Sequence, residues 1–420
     1  MTTLHVVGAG LAGLAAALHA GRAGLSVRLY EAGTRAGGRC RTYHDPVLDR
    51  SIDNGAHLVL GANRAALAYL DRLGASGQML EVAPARFPML DLATGALWNL
   101  RPNAGPLPWW LLSRERRTPD CSPWQHLAGA KLLWASPEAT VGQVLGGDHP
   151  TFERLWQPFC AAVLNTDPKE ASARLMGRTL LRTFLAGERA SRPHIARSGI
   201  GAAFVDPAVA ALAEAGSPVE FASRLKAIES GDGRARALVF EGRRIELAPG
   251  DGVVLAVPPA MAASLVPGLT LVPNESRAIV NAHFRLERPA VLPGGLPFLG
   301  LVGGSAQWLF QRGDVVSVTV SAADDLVQES AETSAEHLWS DVARALGIVH
   351  APPPASRIIK ERRATFAQTP EQLRRRPGPV TGLRNVMLAG DWTDTGLPAT
   401  IDGAIRSGET AASVWLAHRP

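Results

Sequence analysis

The chain has 420 residues, 46% of them hydrophobic and 19% charged, enough to build a sizeable core and too apolar for disorder along its length. At about 100–200 residues per domain, this length allows two or three domains. The 43 basic and 38 acidic residues leave a net charge of +5, mild and scattered apart from short arginine clusters at 114–117 and 374–376. No nucleic-acid-binding motif accompanies it, so a nucleic-acid partner is not expected. No uninterrupted apolar run reaches the ~18 residues of a membrane span. Cys40, Cys121 and Cys160 are an odd set without C-x-x-C spacing, which speaks against a disulfide framework or a metal site and fits a reducing cytoplasm. The first residues carry no basic region followed by a cleavage site.

Residues 4–7 are a short apolar run, read as a strand. Gly8-Ala9-Gly10-Leu11-Ala12-Gly13 follows, then the helix former Leu14-Ala15-Ala16-Ala17-Leu18. Residues 26–30 read as a second strand, ending at Glu31-Ala32. A glycine-rich turn between a strand and a helix, with an acid after the next strand, is a dinucleotide fingerprint. Gly8 permits the tight turn, Gly10 admits a pyrophosphate to the helix N-terminus, and Gly13 lets helix and strand pack closely. Glu31 accepts hydrogen bonds from ribose hydroxyls. Arg35-Ala36-Gly37-Gly38-Arg39 adds a second glycine pair and a fixed cation, and Asp53-Asn54-Gly55-Ala56-His57 comes next. Further on, residues 206–215 read as a helix. Short strands are expected at 218–221, 224–229, 236–240, 243–247 and 252–257, separated by glycine turns. Residues 279–286, 308–311 and 315–321 are strand-like. Near the end, 385–389 is a last strand, followed by Gly390-Asp391-Trp392-Thr393-Asp394 and by Thr400-Ile401-Asp402-Gly403-Ala404 at the start of a helix. A helix beginning at Gly403 aims its positive dipole at whatever lies before it.

The two motifs at opposite ends of the chain resemble the FAD-binding segments of the glutathione-reductase and amine-oxidase superfamily. No second dinucleotide fingerprint occurs, so no built-in nicotinamide site is expected. The resemblance implies an α/β, Rossmann-type FAD-binding domain with an inserted α+β substrate domain. It implies non-covalent FAD held at Gly8, Gly10, Leu11, Ala12, Gly13, Glu31, Ala32, Gly37, Gly38, Arg39, Gly55, Ala56, His57, Leu225, Gly390, Asp391, Thr400, Ile401 and Gly403, with Leu225 on the adenine and Asp391 on the ribityl chain. The expected division is 1–62, 201–270 and 381–420 for the FAD domain, and 63–200 and 271–380 for the substrate domain.

A narrower resemblance rests on Trp156-Gln157-Pro158-Phe159-Cys160 with Leu164-Asn165-Thr166, on Asp53 to Leu58, on Asn281-Ala282-His283-Phe284, and on Gly390-Asp391-Trp392-Thr393 with Leu397-Pro398-Ala399-Thr400. These look like the squalene-associated flavoproteins, the hydroxysqualene dehydroxylase family. The reaction implied is reductive removal of an allylic hydroxyl from hydroxysqualene to give squalene for hopanoid and triterpenoid synthesis, with an unnamed external electron donor. A carotenoid-type polyene desaturase and a flavin amine oxidase are the alternatives. Against the amine oxidase, the only tyrosines are Tyr30, Tyr43 and Tyr69, and Asn281 stands about where those enzymes commonly place a lysine. Such a reaction needs a greasy tunnel, one proton donor and no competing nucleophile. Candidates near the flavin are His57, His283 and Asp394, the last as a desolvated acid, with Asn165 as a ligand for the substrate hydroxyl or a water. Asp402 reads as a cap. Trp109, Trp110 and Trp134, beside Arg114, Arg116 and Arg117, suit either core packing or contact with a membrane surface. A cytoplasmic location is expected, with the inner face of the cytoplasmic membrane as the place for any peripheral contact.

Overall fold

The computed structural model describes residues 2–147, 149–348 and 352–418. Its first sheet has five strands gathered from distant stretches of chain, in the order Val219–Glu220, Ser26–Tyr30, Thr3–Val7, Gly252–Leu255 and Val386–Leu388. All its pairings are parallel; Gly252–Leu255 and Val386–Leu388 are the fully buried apolar runs of a sheet covered on both faces, whereas Ser26–Tyr30 exposes Ser26 and Arg28. Thr3–Val7 lies at the centre, so the turn after it and the turn after Val386–Leu388 open on the same, carboxyl edge, where open α/β sheets take their ligands.

The helices Leu11–Arg22 and Ile401–His418 cross on this sheet. They touch backbone to backbone: a Cβ on Gly408 would stand 1.9 Å from the Ala12 carbonyl oxygen. That contact brings the two ends of the sequence into one layer. A three-stranded antiparallel meander, Leu225–Gly231, Arg234–Phe240 and Arg243–Glu246, packs on the other face of this sheet, where Leu225, Leu238 and Phe240 meet Val7, Tyr30, Val253 and Leu255.

The second sheet has seven strands, in the order Ser356–Phe366, Ser276–Arg285, Val315–Ser321, Trp308–Arg312, Phe298–Val302, Phe87–Asp91 and Leu97–Leu100. Leu299, Leu309, Val316, Val318 and Val320 face the helix Ala331–Leu346, forming one sealed core with Leu338, Trp339 and Val342. The opposite face carries Phe87, Met89, Trp98, Phe298, Trp308 and Phe310 and lies under the helical region, against Trp110, Leu132, Phe159 and Phe184.

The predicted strands at 26–30 and 315–321 form with the expected bounds, and most others within two residues. Phe87–Asp91, Leu97–Leu100, Phe298–Val302 and Ser356–Phe366 were not anticipated. The first of these contains Pro88 and pairs in parallel with Phe298–Val302, a partner no local signal reveals.

Candidate functional site: the carboxyl edge and the space above it

Gly8 has φ +101°, and a Cβ there would overlap the Ala256 carbonyl oxygen at 2.4 Å. A Cβ on Gly13 would stand 1.8 Å from the Gly8 oxygen. These two glycines are therefore explained by packing. Gly10 is different: its Cβ would meet nothing within 4 Å. It precedes a helix with no side-chain cap and no acid in its first turn, which leaves backbone amides and a positive helix end for an anion. Leu11 and Ala12 are buried and offer that site their backbone only. Glu31 stands across the turn; its carboxylate accepts from the Ala9 amide at 2.9 Å and from Gly33 at 2.7 Å. Ala32 is exposed beside it. Residues 222 and 223 run along this edge, Ser223 donating to the Glu31 carbonyl at 2.8 Å, and carry the chain to buried Leu225.

The Gly37 amide donates to the Ala9 carbonyl at 2.8 Å, docking the second glycine pair on the first turn. Arg39 then reaches across to the far end of the sequence, donating to the Asp391 carboxylate at 2.8 Å and to the Ala364 carbonyl. The two residues assigned separately from sequence thus meet as a pair. Asp391 is nearly buried, whereas 44% of the Arg39 side chain is accessible, although protein surrounds it closely enough for desolvation to act on it. Arg39 therefore stays open to a ligand at this edge. Gly390, at φ +148°, leaves no room for a side chain beneath Trp392, whose indole donates to Val257 at 2.9 Å. Thr400 caps the last helix by accepting from the Gly403 amide at 3.2 Å, with Ile401 part-buried beside it. A Cβ on Gly403 would lie 2.7 Å from the Pro398 oxygen. Asp402 is a cap as expected, but for another helix: it accepts from the Ala66 amide at 3.0 Å, in the first turn of Arg64–Arg72.

The Asp53 to His57 segment crosses between this edge and the large sheet. Asp53 fixes it, accepting from the Ile200 amide at 2.9 Å and from Arg312 at 2.8 Å. The Asn281 amide donates to the Asn54 carbonyl at 3.2 Å, and a Cβ on Gly55 would stand 3.0 Å from Asn281 Nδ2. Ala56 is part-buried. His57 Nδ1–H donates to the Gly55 carbonyl at 2.7 Å. Desolvation holds the ring's pKa below 6.5, yet the ring is part-accessible. The bonded Nδ1 leaves Nε2 for a ligand.

Three other acid or ligand candidates are corrected by the geometry. His283 does not line a cavity: it is 1% exposed, paired with Ser317 Oγ at 2.7 Å, and burial pushes its pKa down to about 4. Asp394 is exposed rather than desolvated, and its carboxylate accepts from the Gly396 amide at 3.2 Å as a loop cap. Asn165 has no polar atom to spare. Its amide donates to Thr365 Oγ1 at 2.9 Å and Arg277 O at 3.3 Å, and its oxygen accepts from the Ala322 amide at 2.7 Å. It ends a helix at φ +46°, a left-handed turn that asparagine tolerates.

Two supporting residues escaped the sequence reading. Arg376 is buried and donates to the carbonyls of Leu397 at 2.8 Å, Asp391 at 3.1 Å and Thr393, gripping the loop that follows Gly390. Gln368 donates to the Leu164 carbonyl at 2.6 Å and accepts from the Ala399 amide at 2.9 Å, tying helix end to loop. In sequence these are an arginine in a cluster and an isolated glutamine; nothing local marks either.

Beyond this edge stands the inner face of the seven-stranded sheet. Register places Asn281, Thr319 and Trp308 in one row and His283, Ser317, Phe310 and Phe298 in the next. Thr319, Ser317, Trp308 and Phe310 are part-accessible, although the alternating residues on the other face are sealed. This face is polar beside Asn54 and Gly55 and becomes apolar and aromatic away from them. Phe298 lies 6.3 Å from Trp308 and from Phe87, and Phe184 lies 5.8 Å from Phe87. All three tyrosines are engaged elsewhere: Tyr30 with His5, Tyr69 with the Phe204 carbonyl, and Tyr43 against Leu48 and Ile52.

A parallel sheet with a glycine turn at its first strand, an acid on the second and a Gly-Asp turn on the last, beside a second sheet whose near face is polar and then aromatic, is the arrangement of a dinucleotide-binding oxidoreductase with a separate region for an organic substrate. The chain belongs to the flavin-containing amine oxidoreductase family, whose model matches residues 11–415. FAD is accordingly its cofactor, and the cradle at Gly10, with the uncapped helix behind it, fits a dinucleotide diphosphate. Over its full length the chain is similar to hydroxysqualene dehydroxylases. It is 47% identical to that of Rhodopseudomonas palustris, over 99% of this chain and 98% of the relative. It is 38% identical to that of Zymomonas mobilis, over 100% of both. Among solved structures, putrescine oxidase with bound putrescine has a TM-score of 0.72 at 19% identity, covering 99% of each chain. Cyclohexylamine oxidase of Brevibacterium oxydans has a TM-score of 0.70 at 18% identity, with the same coverage. At that identity the solved structures share the fold.

Proposed function

We propose that this enzyme removes the allylic hydroxyl of hydroxysqualene reductively, giving squalene for hopanoid and triterpenoid synthesis. The observation that carries this reading is the sheet face on which the part-accessible polar residues Thr319 and Ser317 give way to the part-accessible aromatic residues Trp308 and Phe310. It suits a long apolar chain bearing one polar group. Bound non-covalently and reduced by an external donor, FAD supplies the hydride. Gly10, Glu31, Gly37, Gly38 and Arg39 would hold its nucleotide half with Leu225, and Asp391, Thr400, Ile401 and Gly403 its flavin half, with Gly8 and Gly13 shaping the turn by packing. The chain's own residues do the rest. The aromatic wall excludes water, so that a carbon losing its hydroxyl meets no competing nucleophile. His57 Nε2 handles the proton. Burial makes its imidazolium a stronger acid than in water, so once protonated it gives that proton readily to the departing oxygen, which leaves as water. The FAD domain comprises 1–62, 201–270 and 381–420, and the substrate domain the remainder. An isoprenoid alcohol of this size resides in a bilayer, so the reading includes peripheral membrane contact on the cytoplasmic side.

The residue assignment is tested with His57→Gln. Squalene formation per bound flavin should fall by about 100-fold or more, with flavin content unchanged. Full turnover in that variant would remove His57 from the proton path.

A further inference from the structure

We infer that segment 101–134, with the neighbouring helix Ala173–Arg182, is a docking surface for an anionic lipid bilayer. This names the face and the lipid charge for the peripheral contact proposed above, but it rests on exposed side chains and not on the identity of the substrate.

Large apolar side chains cluster here in solvent. Trp134 is 80% exposed, Trp124 79%, Leu112 66%, Trp109 63% and Leu107 58%. Single exposed apolar residues are ordinary, but a group containing three indoles marks a contact surface. They sit on short turns that the structure holds together. Arg117 donates to the carbonyls of Leu111 at 2.8 Å and Cys121 at 2.9 Å. The Trp110 ring lies 6.4 Å from that of His126. A Cβ on Gly177 would be 2.2 Å from the Leu132 carbonyl oxygen, so the helix Ala173–Arg182 presses directly on Ala128–Trp134.

The segment divides its side chains between two faces. Trp110, Leu111 and Leu132 point inward to the cluster containing Phe87, Phe298 and, at its edge, Trp308. Trp109, Leu112 and Trp134 point outward. The outward layer therefore covers the apolar sheet face from the solvent side.

Charge selects the partner. Arg101, Arg114, Arg116, Lys131 and Arg178 are exposed around the indoles, and none forms an ion pair among the described residues. Between residues 101 and 135 there are five Arg or Lys against two acids, Glu115 and Asp120, and Asp120 is within 3.6 Å of Arg154. Indoles at headgroup level, with unpaired cations around them, match an anionic bilayer surface. No helix among the described residues is long and apolar enough to cross a membrane, so this contact is interfacial.

The test uses FAD-loaded protein and sonicated vesicles, either pure phosphatidylcholine or phosphatidylcholine with phosphatidylglycerol, in sedimentation. Binding is expected to the mixed vesicles and to weaken as salt rises. Arg114→Gln with Arg116→Gln should lower partitioning roughly 25-fold. Trp109→Ser with Trp124→Ser and Trp134→Ser should lower it roughly 100-fold or more. If the tryptophan variant fails to retain flavin, wild-type protein on vesicles of brominated lipid decides instead, by quenching of its indole fluorescence. Equal binding to neutral and anionic vesicles, unchanged binding of the variants, or unquenched fluorescence would overturn the proposal. So would light scattering that shows a dimer dissociated by the tryptophan substitutions, which would assign the patch to a second copy of the chain.

Discussion

The two central glycines of the first turn should respond to the same substitution in opposite ways. Gly10 sits at φ −72°, ψ 176°, extended backbone that alanine adopts freely, and a methyl there would touch no protein atom within 4 Å. At such a position Gly→Ala stabilises by about 0.4–1 kcal/mol, chiefly by narrowing the unfolded ensemble. Flavin-stripped Gly10→Ala should therefore unfold in urea at or slightly above the parent midpoint. The same methyl projects into the space kept for a diphosphate, so the Kd for FAD should rise at least tenfold, equivalent to about 1.4 kcal/mol. Gly13→Ala reverses the pattern. Its Cβ would lie 1.8 Å from a backbone oxygen that no rotamer change can move, and opening the turn should cost roughly 3 kcal/mol or more. Denaturant unfolding of stripped protein and titration of FAD by quenching of its fluorescence read the two effects separately. Unchanged FAD affinity in Gly10→Ala would refute the assignment of that cradle, and parent-like stability in Gly13→Ala would refute the packing argument.

Other expectations follow from burial and bonding. His283 has a folded-state pKa of about 4 against an ordinary 6.5, so between those values the unfolded chain binds more protons. Its contribution to stability is complete above pH ~6.5 and falls by about 3 kcal/mol as the pH drops toward 4; urea midpoints measured across this range should fall less steeply in His283→Gln. Asn165→Ala leaves three part-buried partners without it and should cost roughly 2 kcal/mol or more. Turnover per folded, flavin-loaded molecule should stay near the parent rate; a specific loss of rate would return Asn165 to the substrate site. Asp394→Ala removes an exposed loop cap and should leave turnover within about twofold, because an acid in solvent gives the reaction little. For His57 the turnover limb should lie below pH 6.5, the side to which burial moves its pKa. That limb should vanish in His57→Gln, as brief pH-jump assays would show.

The nucleotide sheet was legible because its signals are local: apolar runs of strand length, glycines at fixed offsets, and an acid after the second strand. The seven-stranded sheet was legible only in part. Val315–Ser321 alternates plainly, with one face sealed and one open. Ser356–Phe366 carries Lys360, Glu361, Arg362 and Arg363 and does not look like a strand, yet it forms the sheet's edge, where charge turned to solvent discourages further pairing. At the site, residues whose role lies in the backbone were readable. Residues whose role depends on what folds over them were not: His283 and Asp394 look alike in sequence as acids near a flavin, but one is sealed and the other exposed. The pairing of Arg39 with Asp391 joins groups 352 positions apart, a distance that no motif encodes.

The central claim is reductive dehydroxylation, and the flavin itself reports it. The purified protein would be reduced with dithionite under anaerobic conditions and mixed with hydroxysqualene in detergent. The flavin absorbance would be followed while lipids are extracted from parallel samples. The account predicts reoxidation of the flavin together with one squalene per flavin. A flavin that stays reduced, with the alcohol recovered intact, would contradict it, as would oxidation of a polyene or an amine by the oxidised enzyme with no squalene formed in the reductive assay.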